Sequence, residues 1–200
     1  MEVLLIRHGL TAGNLQKRYA GRTDEPLCSQ GFADTRKAGR FPAVAKVVVS
    51  PMLRARQTAS LLFPEAEQRV ARDLREMDFG AFEGKTADEM ASDAAYRAWV
   101  AGNCLDDCPG GEGVAGFSAR VSSAFDQAVR QSLSSQEDPL IVVAHGGTLM
   151  AIMDKYATPR REYWQWHVPA LSGWRARLDR GTWETCPRLT AYARLEVTGL

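Results

Sequence analysis

The sequence predicts an α/β protein, a three-layer sandwich in which helices flank a mostly parallel central sheet. Two observations predict this fold class. Short continuous apolar runs occur at residues 3–6, 47–49 and 140–144, and each fits a strand that is buried on both faces. Amphipathic stretches of helical period lie between these runs, and strands that alternate with helices are typical of a mostly parallel sheet.

The first half of the chain contains two predicted strand–helix units. After the apolar run at residues 3–6, Ser29 can cap a helix over residues 31–39. The run at residues 47–49 is followed at once by Ser50 and Pro51, which is a strong start signal for a helix that continues to Leu62.

The second half predicts one further unit and a pair of strands. A long amphipathic helix is expected over residues 114–133, and its apolar side chains recur at helical spacing: Phe117, Val121, Phe125, Ala128 and Val129. Residues 140–144 then form a strand, residues 147–156 a helix, and residues 172–178 and 189–197 two strands joined by a turn at 179–184. The chain shows no internal repeat or linker, so we expect a single domain over residues 1–200.

Composition excludes several classes of partner. The 25 basic and 24 acidic residues nearly cancel, so no overall field would attract nucleic acid or an acidic membrane surface. There is no apolar run of membrane-spanning length and no signal-peptide core, which predicts a cytoplasmic protein without a membrane partner. The four cysteines, Cys28, Cys104, Cys108 and Cys186, are scattered, and this spacing favours reduced thiols over a disulfide framework or a zinc site.

Two of the three histidines share one context, an apolar strand followed at once by His and Gly. His8 and His145 both have this setting, and the carboxyl ends of parallel strands present ligand-binding groups at one edge of a sheet. One such histidine would more often be structural, but two of them predict a functional site. His167 lacks this setting, so we interpret it as either structural or adjacent to the substrate.

Two arginines supply the charge that a phosphoryl group requires. Arg7 precedes His8, and Arg54 lies in the first turn of the helix that follows Ser50, where the helix dipole reinforces its charge. A guanidinium offers bidentate donors and stays charged at every relevant pH. Arg56 is expected to face away from the site, and the alternative for Arg54 is a surface ion pair.

Four motifs occur in order between residues 7 and 146. The first is Arg7-His8-Gly9 with Thr11 and Asn14, followed by the stretch at 21–27; the second is Ser50-Pro51 with Arg54, Ala55, Thr58 and Ala59; the third is the segment 74–84 around Glu76; the fourth is His145-Gly146. This series resembles the histidine phosphatase superfamily, also called the phosphoglycerate mutase family. The resemblance implies a phosphoglycerate mutase-like fold and a metal-independent enzyme without a cofactor.

The resemblance also implies a role for each motif. His8 is the nucleophile that becomes phosphohistidine, while Arg7, Arg54 and His145 hold the phosphoryl oxygens and Glu76 donates the proton. Four further residues are expected to bind phosphate or substrate: Thr11, Asn14, Gly21 and Gly146. Asp78 and Glu83 are the rival proton donors near Glu76. Covalent catalysis would split the transfer into two easier steps, and the cationic clamp would stabilise the transferring group.

Within the superfamily the sequence is most similar to the α-ribazole phosphatase-like branch, which predicts a hydrolase of small phosphomonoesters. The alternatives are a phosphoglycerate mutase and a non-catalytic phosphate-binding module on the same fold. Residues 85–139 carry four basic and nine acidic side chains, a net charge of −5 that would repel a bisphosphate. The acidic loop of Asp106, Asp107 and Glu112, interpreted as solvated, suits a substrate whose far end is neutral or hydroxyl-bearing.

Three features depart from the pattern or could mislead. Leu10 stands where the superfamily usually has Glu or Gln, and Gly113 stands where many members have Ser, so pocket selectivity can differ. Gly111, Gly113 and Gly116 formally match a dinucleotide-binding glycine motif. They follow a loop and not a strand, however, which excludes the context that such a cofactor site requires.

Overall fold

The structure is a computed structural model that describes residues 1–41 and 43–199. Its strands are β1 (Glu2–Arg7), β2 (Lys46–Val49), β3 (Glu67–Val70), β4 (Leu140–Ala144), β5 (Ser172–Arg177) and β6 (Thr190–Glu196). Its helices are α1 (Ala12–Leu15), α2 (Ser29–Ala38), α3 (Leu53–Leu62), α4 (Ala94–Ala101), α5 (Val114–Ser134) and α6 (Gly146–Tyr156). None of the helices in these ranges is long and apolar enough to cross a membrane.

The strands form one sheet in the order β3-β2-β4-β1-β5-β6. The first four run parallel, and β5 and β6 are antiparallel to their neighbours. Helices α2 and α3 cover one face, and α5 and α6 cover the other. The predicted three-layer α/β sandwich with a mostly parallel sheet is therefore confirmed.

The core lies in two layers because the central strands alternate between the two faces. Leu4 and Ile6 point toward α3, while Val3 and Leu5 point toward α5 and α6, and all four are buried. Continuous apolar runs predict this arrangement, since a strand buried on both faces needs no polar side. The five apolar positions predicted for α5 are all buried as well.

Three local expectations were incomplete or wrong. Strand β3 was not predicted, because its sequence is polar and half-exposed, as suits the edge of a sheet. Helix α2 begins at Ser29, and the cap is the thiol of Cys28, which accepts a hydrogen bond from the Gly31 amide. Helix α3 begins only at Leu53, without a side-chain cap, so Ser50 does not cap it.

The register brings the ends of three parallel strands together. Arg7 of β1 is paired with Ala144 of β4, and Val49 of β2 is paired with Val143 of β4. The residues that directly follow the last residues of β1, β2 and β4 therefore lie at the same edge of the sheet. These residues are His8, Ser50 and His145, and they define the candidate site.

Candidate active site

His8 follows β1 directly and is only 3% exposed. Its Nδ1 lies 2.7 Å from the carbonyl oxygen of Gly9, and because a carbonyl can only accept, the proton of the neutral ring is on Nδ1. Nε2 therefore carries the lone pair, and it forms no hydrogen bond within the described part of the chain. A neutral imidazole in this tautomer offers a nucleophilic nitrogen.

The surroundings of His8 keep its ring neutral. Burial lowers the pKa of His8 most, and the positive charges of Arg54 and Arg7 lower it further, to well below its usual 6.5. The hydrogen bond to Gly9 opposes these effects without cancelling them. The lone pair is therefore available at neutral pH.

Arg54 is held by backbone carbonyls of the loop at residues 20–23. Its side chain lies in the first turn of α3, and the residue is 1% exposed. Nη1 donates to the carbonyl of Thr23 at 2.7 Å, and Nη2 donates to those of Ala20 and Gly21 at 3.2 and 3.0 Å. A guanidinium fixed in this way is preorganised to bind an anion. Arg56 is exposed, as expected.

His145 precedes α6 and lies edge to face with His8, with 5.1 Å between the ring centroids. Arg54 Nε donates to Nδ1 of His145 at 3.2 Å, so Nε2 of His145 carries the proton and donates to the Ser50 hydroxyl at 2.6 Å. Burial lowers the pKa of His145 most, and Arg54 is the next cause, which keeps this ring neutral too. Ser50 therefore orients His145, a role that replaces the predicted helix cap.

Arg7 ends β1 and contacts the chain that precedes β5. Its Nη1 donates to the carbonyl of Val168 at 2.7 Å and lies 3.4 Å from Nε2 of His167. Its Nε is buried and has no hydrogen-bond partner among residues 1–41 and 43–199. Leaving a buried cationic donor unpaired is costly, so an anionic ligand at this position would be favourable. His167 lies beside the site, which agrees with the second of its two interpretations.

Glu76 places its carboxylate at the N-terminus of α6. The amide of Gly147 donates to Oε2 and the amide of Met77 donates to Oε1, both at 3.0 Å. Burial lowers the pKa of Arg7 and of Arg54, and the negative charge of Glu76 is the largest opposing influence on both. The site thus combines the neutral imidazole of His8, two guanidinium groups and the carboxyl group of Glu76. Phosphoryl transfer through a histidine requires this set of groups.

The same residues connect the chain to known proteins. The sequence model of the Histidine phosphatase superfamily (branch 1) matches residues 3–186. The chain belongs to this superfamily. The match confirms the family expected from the four motifs, and with it an enzyme of the phosphatase type.

Relatives of this histidine phosphatase include both phosphatases and phosphoglycerate mutases. The adenosylcobalamin/alpha-ribazole phosphatase of Salmonella typhimurium is 28% identical over 98% of this chain and 95% of its own length. A 2,3-bisphosphoglycerate-dependent phosphoglycerate mutase of Methylobacterium radiotolerans is 29% identical over 76% of each chain. The crystal structure of the alpha-ribazole phosphatase from Shigella flexneri has a TM-score of 0.76, with 24% identity over 90% of this chain and 91% of that one, and this likeness shows the fold.

The carboxylate of Glu83 fixes the loop around Gly21. The Glu83 carboxylate accepts hydrogen bonds from the amides of Gly21, Arg22 and Thr23, from the Thr23 hydroxyl and from the amide of Phe79. Its oxygens are therefore occupied by the loop that holds Arg54. The other rival donor, Asp78, accepts from the Gly80 amide at 2.8 Å and pairs with Arg22 at 3.6 Å. Both carboxylates have structural partners.

Thr11 and Asn14 form the turn that follows His8. The Thr11 hydroxyl accepts from the Asn14 amide at 3.2 Å and donates to Glu25 at 2.5 Å, and the Asn14 side-chain oxygen accepts from the Thr11 amide at 3.2 Å. These contacts cap α1. The side-chain NH2 of Asn14 makes no hydrogen bond to any described residue, so it is available to a ligand.

The two glycines predicted for the site allow close approach of backbone and side chains. A Cβ at Gly21 would lie 1.6 Å from the carbonyl oxygen of Met77, so no other residue fits there. A Cβ at Gly146 would lie 3.4 Å from the guanidinium carbon of Arg7, an ordinary contact that still narrows the site. The Gly21 amide is used by Glu83, so this residue shapes the site without offering its N–H to a ligand.

An apolar cavity of about 290 Å³ adjoins the carboxylate of Glu76. Its walls are mostly aromatic, aliphatic and sulfur-containing side chains: Tyr19, Met77, Phe79, Trp99, Cys104, Val114, Phe117, Met150, Tyr163 and Trp164. The acidic loop of Asp106, Asp107 and Glu112 is therefore not part of these walls. Asp106 and Asp107 are exposed, in agreement with their interpretation as solvated residues, whereas Glu112 is only partly exposed and pairs with Arg120 at 2.6 Å.

The departure at Gly113 has a local explanation, and nothing in the structure explains the one at Leu10. A Cβ at Gly113 would lie 2.2 Å from a carboxylate oxygen of Asp107, so the Ser of other members would displace that side chain. Leu10 contributes through its backbone carbonyl, which accepts from the Cys28 amide at 3.0 Å. The glycine motif at residues 111–116 runs from a loop into α5, without a preceding strand.

Sequence reasoning missed three residues that organise this site: Ser50, Glu83 and Arg120. Ser50 and Glu83 were noticed, but they were assigned to a helix cap and to a rival proton donor. Their partners lie 95 and 62 residues away in the chain, at His145 and Gly21. No signal in the local sequence identifies such partners, although the place of Ser50 at a strand end could have suggested the first.

Proposed function

We propose that the protein hydrolyses phosphomonoesters through a phosphohistidine on His8, without a metal ion. The observation that carries this proposal is the unpaired Nε2 of a buried, neutral His8, placed beside Arg7 and Arg54. Among the described residues, no group of three or more His, Cys, Asp or Glu side chains could hold a metal ion. The two guanidiniums supply positive charge in its place.

In the first step, the His8 Nε2 lone pair attacks phosphorus as the bond from phosphorus to the ester oxygen breaks. Arg7 and Arg54 stabilise the charge that spreads over the phosphoryl oxygens, and His145 orients Arg54 by accepting a hydrogen bond from its Nε. In this step Glu76 acts in its protonated form and gives its proton to the departing oxygen, which leaves as an alcohol. Asn14 and Gly146 contribute donors at the rim, while Thr11 and Gly21 hold the loops in place.

In the second step, a water molecule attacks the phosphohistidine. Glu76, now a carboxylate, takes a proton from this water as the bond between phosphorus and Nε2 breaks. Inorganic phosphate leaves, and both His8 and Glu76 return to their starting states. Glu76 lies at the border between the phosphate site and the apolar cavity, which suits a group that serves the leaving oxygen.

The apolar cavity indicates the class of leaving group. Its walls include Tyr19, Phe79, Trp99 and Tyr163, and they favour a flat, apolar moiety over a second phosphate. We therefore propose a small cytoplasmic substrate related to α-ribazole 5′-phosphate, with no role for nucleic acid. The alternative is a phosphoglycerate mutase, which the relatives of that name support.

A turnover screen tests the proposal. The purified protein, treated with EDTA, is given α-ribazole 5′-phosphate, a sugar phosphate and 3-phosphoglycerate, the last with and without 2,3-bisphosphoglycerate. We expect phosphate release to be fastest from the ribazole ester and unaffected by EDTA. Isomerisation of 3-phosphoglycerate that outpaces phosphate release would identify a mutase, and the absence of any turnover would identify a phosphate-binding module.

A further inference from the structure

Glu76 lies in a part of the chain that lacks regular secondary structure. It stands between two short 3-10 turns, Arg72–Leu74 and Gly80–Phe82. The hydrogen bonds of a helix or strand therefore do not fix its backbone. A proton donor acts only when it is held within hydrogen-bond reach of the leaving oxygen, so other contacts must position this segment.

Arg120 of α5 supplies those contacts, and it uses all five of its N–H groups to do so. Nη1 donates to the carbonyls of Asp73 and Arg75 at 2.9 and 3.0 Å, and Nη2 donates to that of Glu76 at 2.9 Å. The remaining two N–H groups, on Nε and Nη2, donate to the two carboxylate oxygens of Glu112 at 2.7 and 2.6 Å. The side chain of Arg120 is 14% exposed.

Glu112 completes the arrangement from the loop before α5. One of its carboxylate oxygens accepts from the amide of Asp78 at 3.0 Å, and its own amide donates to the carbonyl of Asp78 at 2.8 Å. Burial acts to raise the pKa of Glu112, but the hydrogen bonds from Arg120 and from the Asp78 amide outweigh it, so the net pKa is lowered. Glu112 is therefore charged at neutral pH, and the pair fixes the segment on both sides of Glu76.

We infer that Arg120 is a positioning residue for Glu76 and that Glu112 holds Arg120 in the required orientation. The inference rests on the proposed function, since it concerns the proton donor of that reaction. The bidentate bond to one carboxylate and the three bonds to carbonyls need a planar fork of five donors. Lysine has three donors and no fork, so it cannot replace Arg120 at this position.

The experiment compares two substrates in the wild type and in six variants. Rates are measured for an alkyl phosphate, a poor leaving group that needs a proton, and for nitrophenyl phosphate, which does not. We expect Arg120→Gln to lower kcat for the alkyl phosphate by about 10- to 100-fold, with KM and the rate on nitrophenyl phosphate nearly unchanged. Arg120→Lys should restore little activity. The double variant Glu76→Gln/Arg120→Gln should lose no more than Glu76→Gln alone, because both changes remove one function.

Arg130→Gln is the matched control. Arg130 lies on the same helix and also forms ion pairs, with Asp126 and Glu184, but it is exposed and distant from Glu76. This variant should retain the wild-type rates on both substrates. Thermal unfolding of each variant shows whether the fold is kept, and Glu112→Gln, which preserves the shape of the side chain, gives a second measurement of the same selective loss if Arg120→Gln does not fold.

Two results would overturn the inference. One is an equal loss on both substrates in Arg120→Gln or Glu112→Gln, and the other is a double variant that is clearly slower than Glu76→Gln. Failure of the proposed function has a different signature. In that case wild type releases no phosphate, or Glu76→Gln itself shows no dependence on the leaving group.

Discussion

At the scale of single residues, the site depends on which groups carry protons. His8 and His145 are both neutral, but each in a different tautomer. The Gly9 carbonyl sets the proton of His8 on Nδ1, and Arg54 sets that of His145 on Nε2. Nε2 of His8 therefore carries the lone pair, and it has no hydrogen-bond partner among the described residues. A nucleophile requires such a free lone pair.

The role of Glu76 as proton donor leads to a prediction about leaving groups. Glu76→Gln keeps the shape of the side chain but removes the transferable proton, so hydrolysis of an alkyl phosphate should slow by about 10²- to 10⁴-fold. The rate of the phosphorylation step with nitrophenyl phosphate should fall far less, because its leaving group does not need a proton. Steady-state and single-turnover rates on both esters check this prediction. An equal loss on both would point to Asp78 or Glu83 as the donor.

At the scale of secondary-structure elements, three strand ends and one helix N-terminus carry the chemistry. The sequence predicted the strands and both histidines, because apolar runs and a His-Gly pair are local patterns. It did not predict β3, whose polar residues resemble those of a surface loop. It also misassigned Ser50, since the local pattern of Ser-Pro favours a helix start and the competing partner, His145, is far away in the chain.

Glu83 links the loop at residues 21–23 to the amide of Phe79. Removal of its carboxylate should weaken the binding of phosphate and leave proton transfer unaffected. Its carboxylate holds the amides of Gly21, Arg22 and Thr23, and the carbonyls of that loop hold Arg54. We expect Glu83→Gln to lower kcat/KM by about 10-fold or more, since hydrogen bonds to charged groups contribute about 1.5–3 kcal/mol each. The loss should be similar for good and poor leaving groups.

Steady-state kinetics on the same two esters check the Glu83 prediction. Glu89→Gln is the control, because Glu89 likewise accepts from a backbone amide, that of Thr86 at 2.9 Å, but is exposed and lies outside the site. A selective loss on the poor leaving group in Glu83→Gln would contradict the structural role and assign proton transfer to Glu83.

At the scale of the whole molecule, the buried histidines link the site to stability. In the unfolded chain both titrate near pH 6.5, but in the fold burial and the nearby arginines hold the pKa of each well below that value. Below pH 6.5 the unfolded state therefore binds more protons, so stability is fully present above this pH and is lost as the pH falls. Each histidine contributes up to about 1.4 kcal/mol per pH unit.

Chemical denaturation between pH 7.5 and 5.5 in phosphate-free buffer checks this pH dependence. Wild type should lose stability over the range, and His8→Gln and His145→Gln should each show a shallower slope. Carboxylates contribute little here, because they titrate at lower pH. A slope in His8→Gln equal to that of wild type would show that His8 is already protonated in the fold or is not buried in solution.

The fold and the four motifs were predictable from the sequence, whereas the character of the substrate cavity was not. The net charge of −5 over residues 85–139 predicted repulsion of a bisphosphate, but it did not predict that the residues lining the cavity are mainly apolar. Charge counts do not show which side chains point inward or which are neutralised. Glu112 is an example, because the net charge does not show that its carboxylate pairs with Arg120.

The central claim is that His8 carries the phosphoryl group, and trapping of the intermediate tests it most directly. Wild type is mixed with a phosphate-labelled ester, quenched in alkali and analysed for phosphate that is stable to base and labile to acid, with peptide mapping of the label. We predict label on the peptide that contains His8, no label in His8→Ala, and normal label in His167→Ala. Label in His8→Ala equal to that of wild type, or label that maps to another residue, would contradict the account.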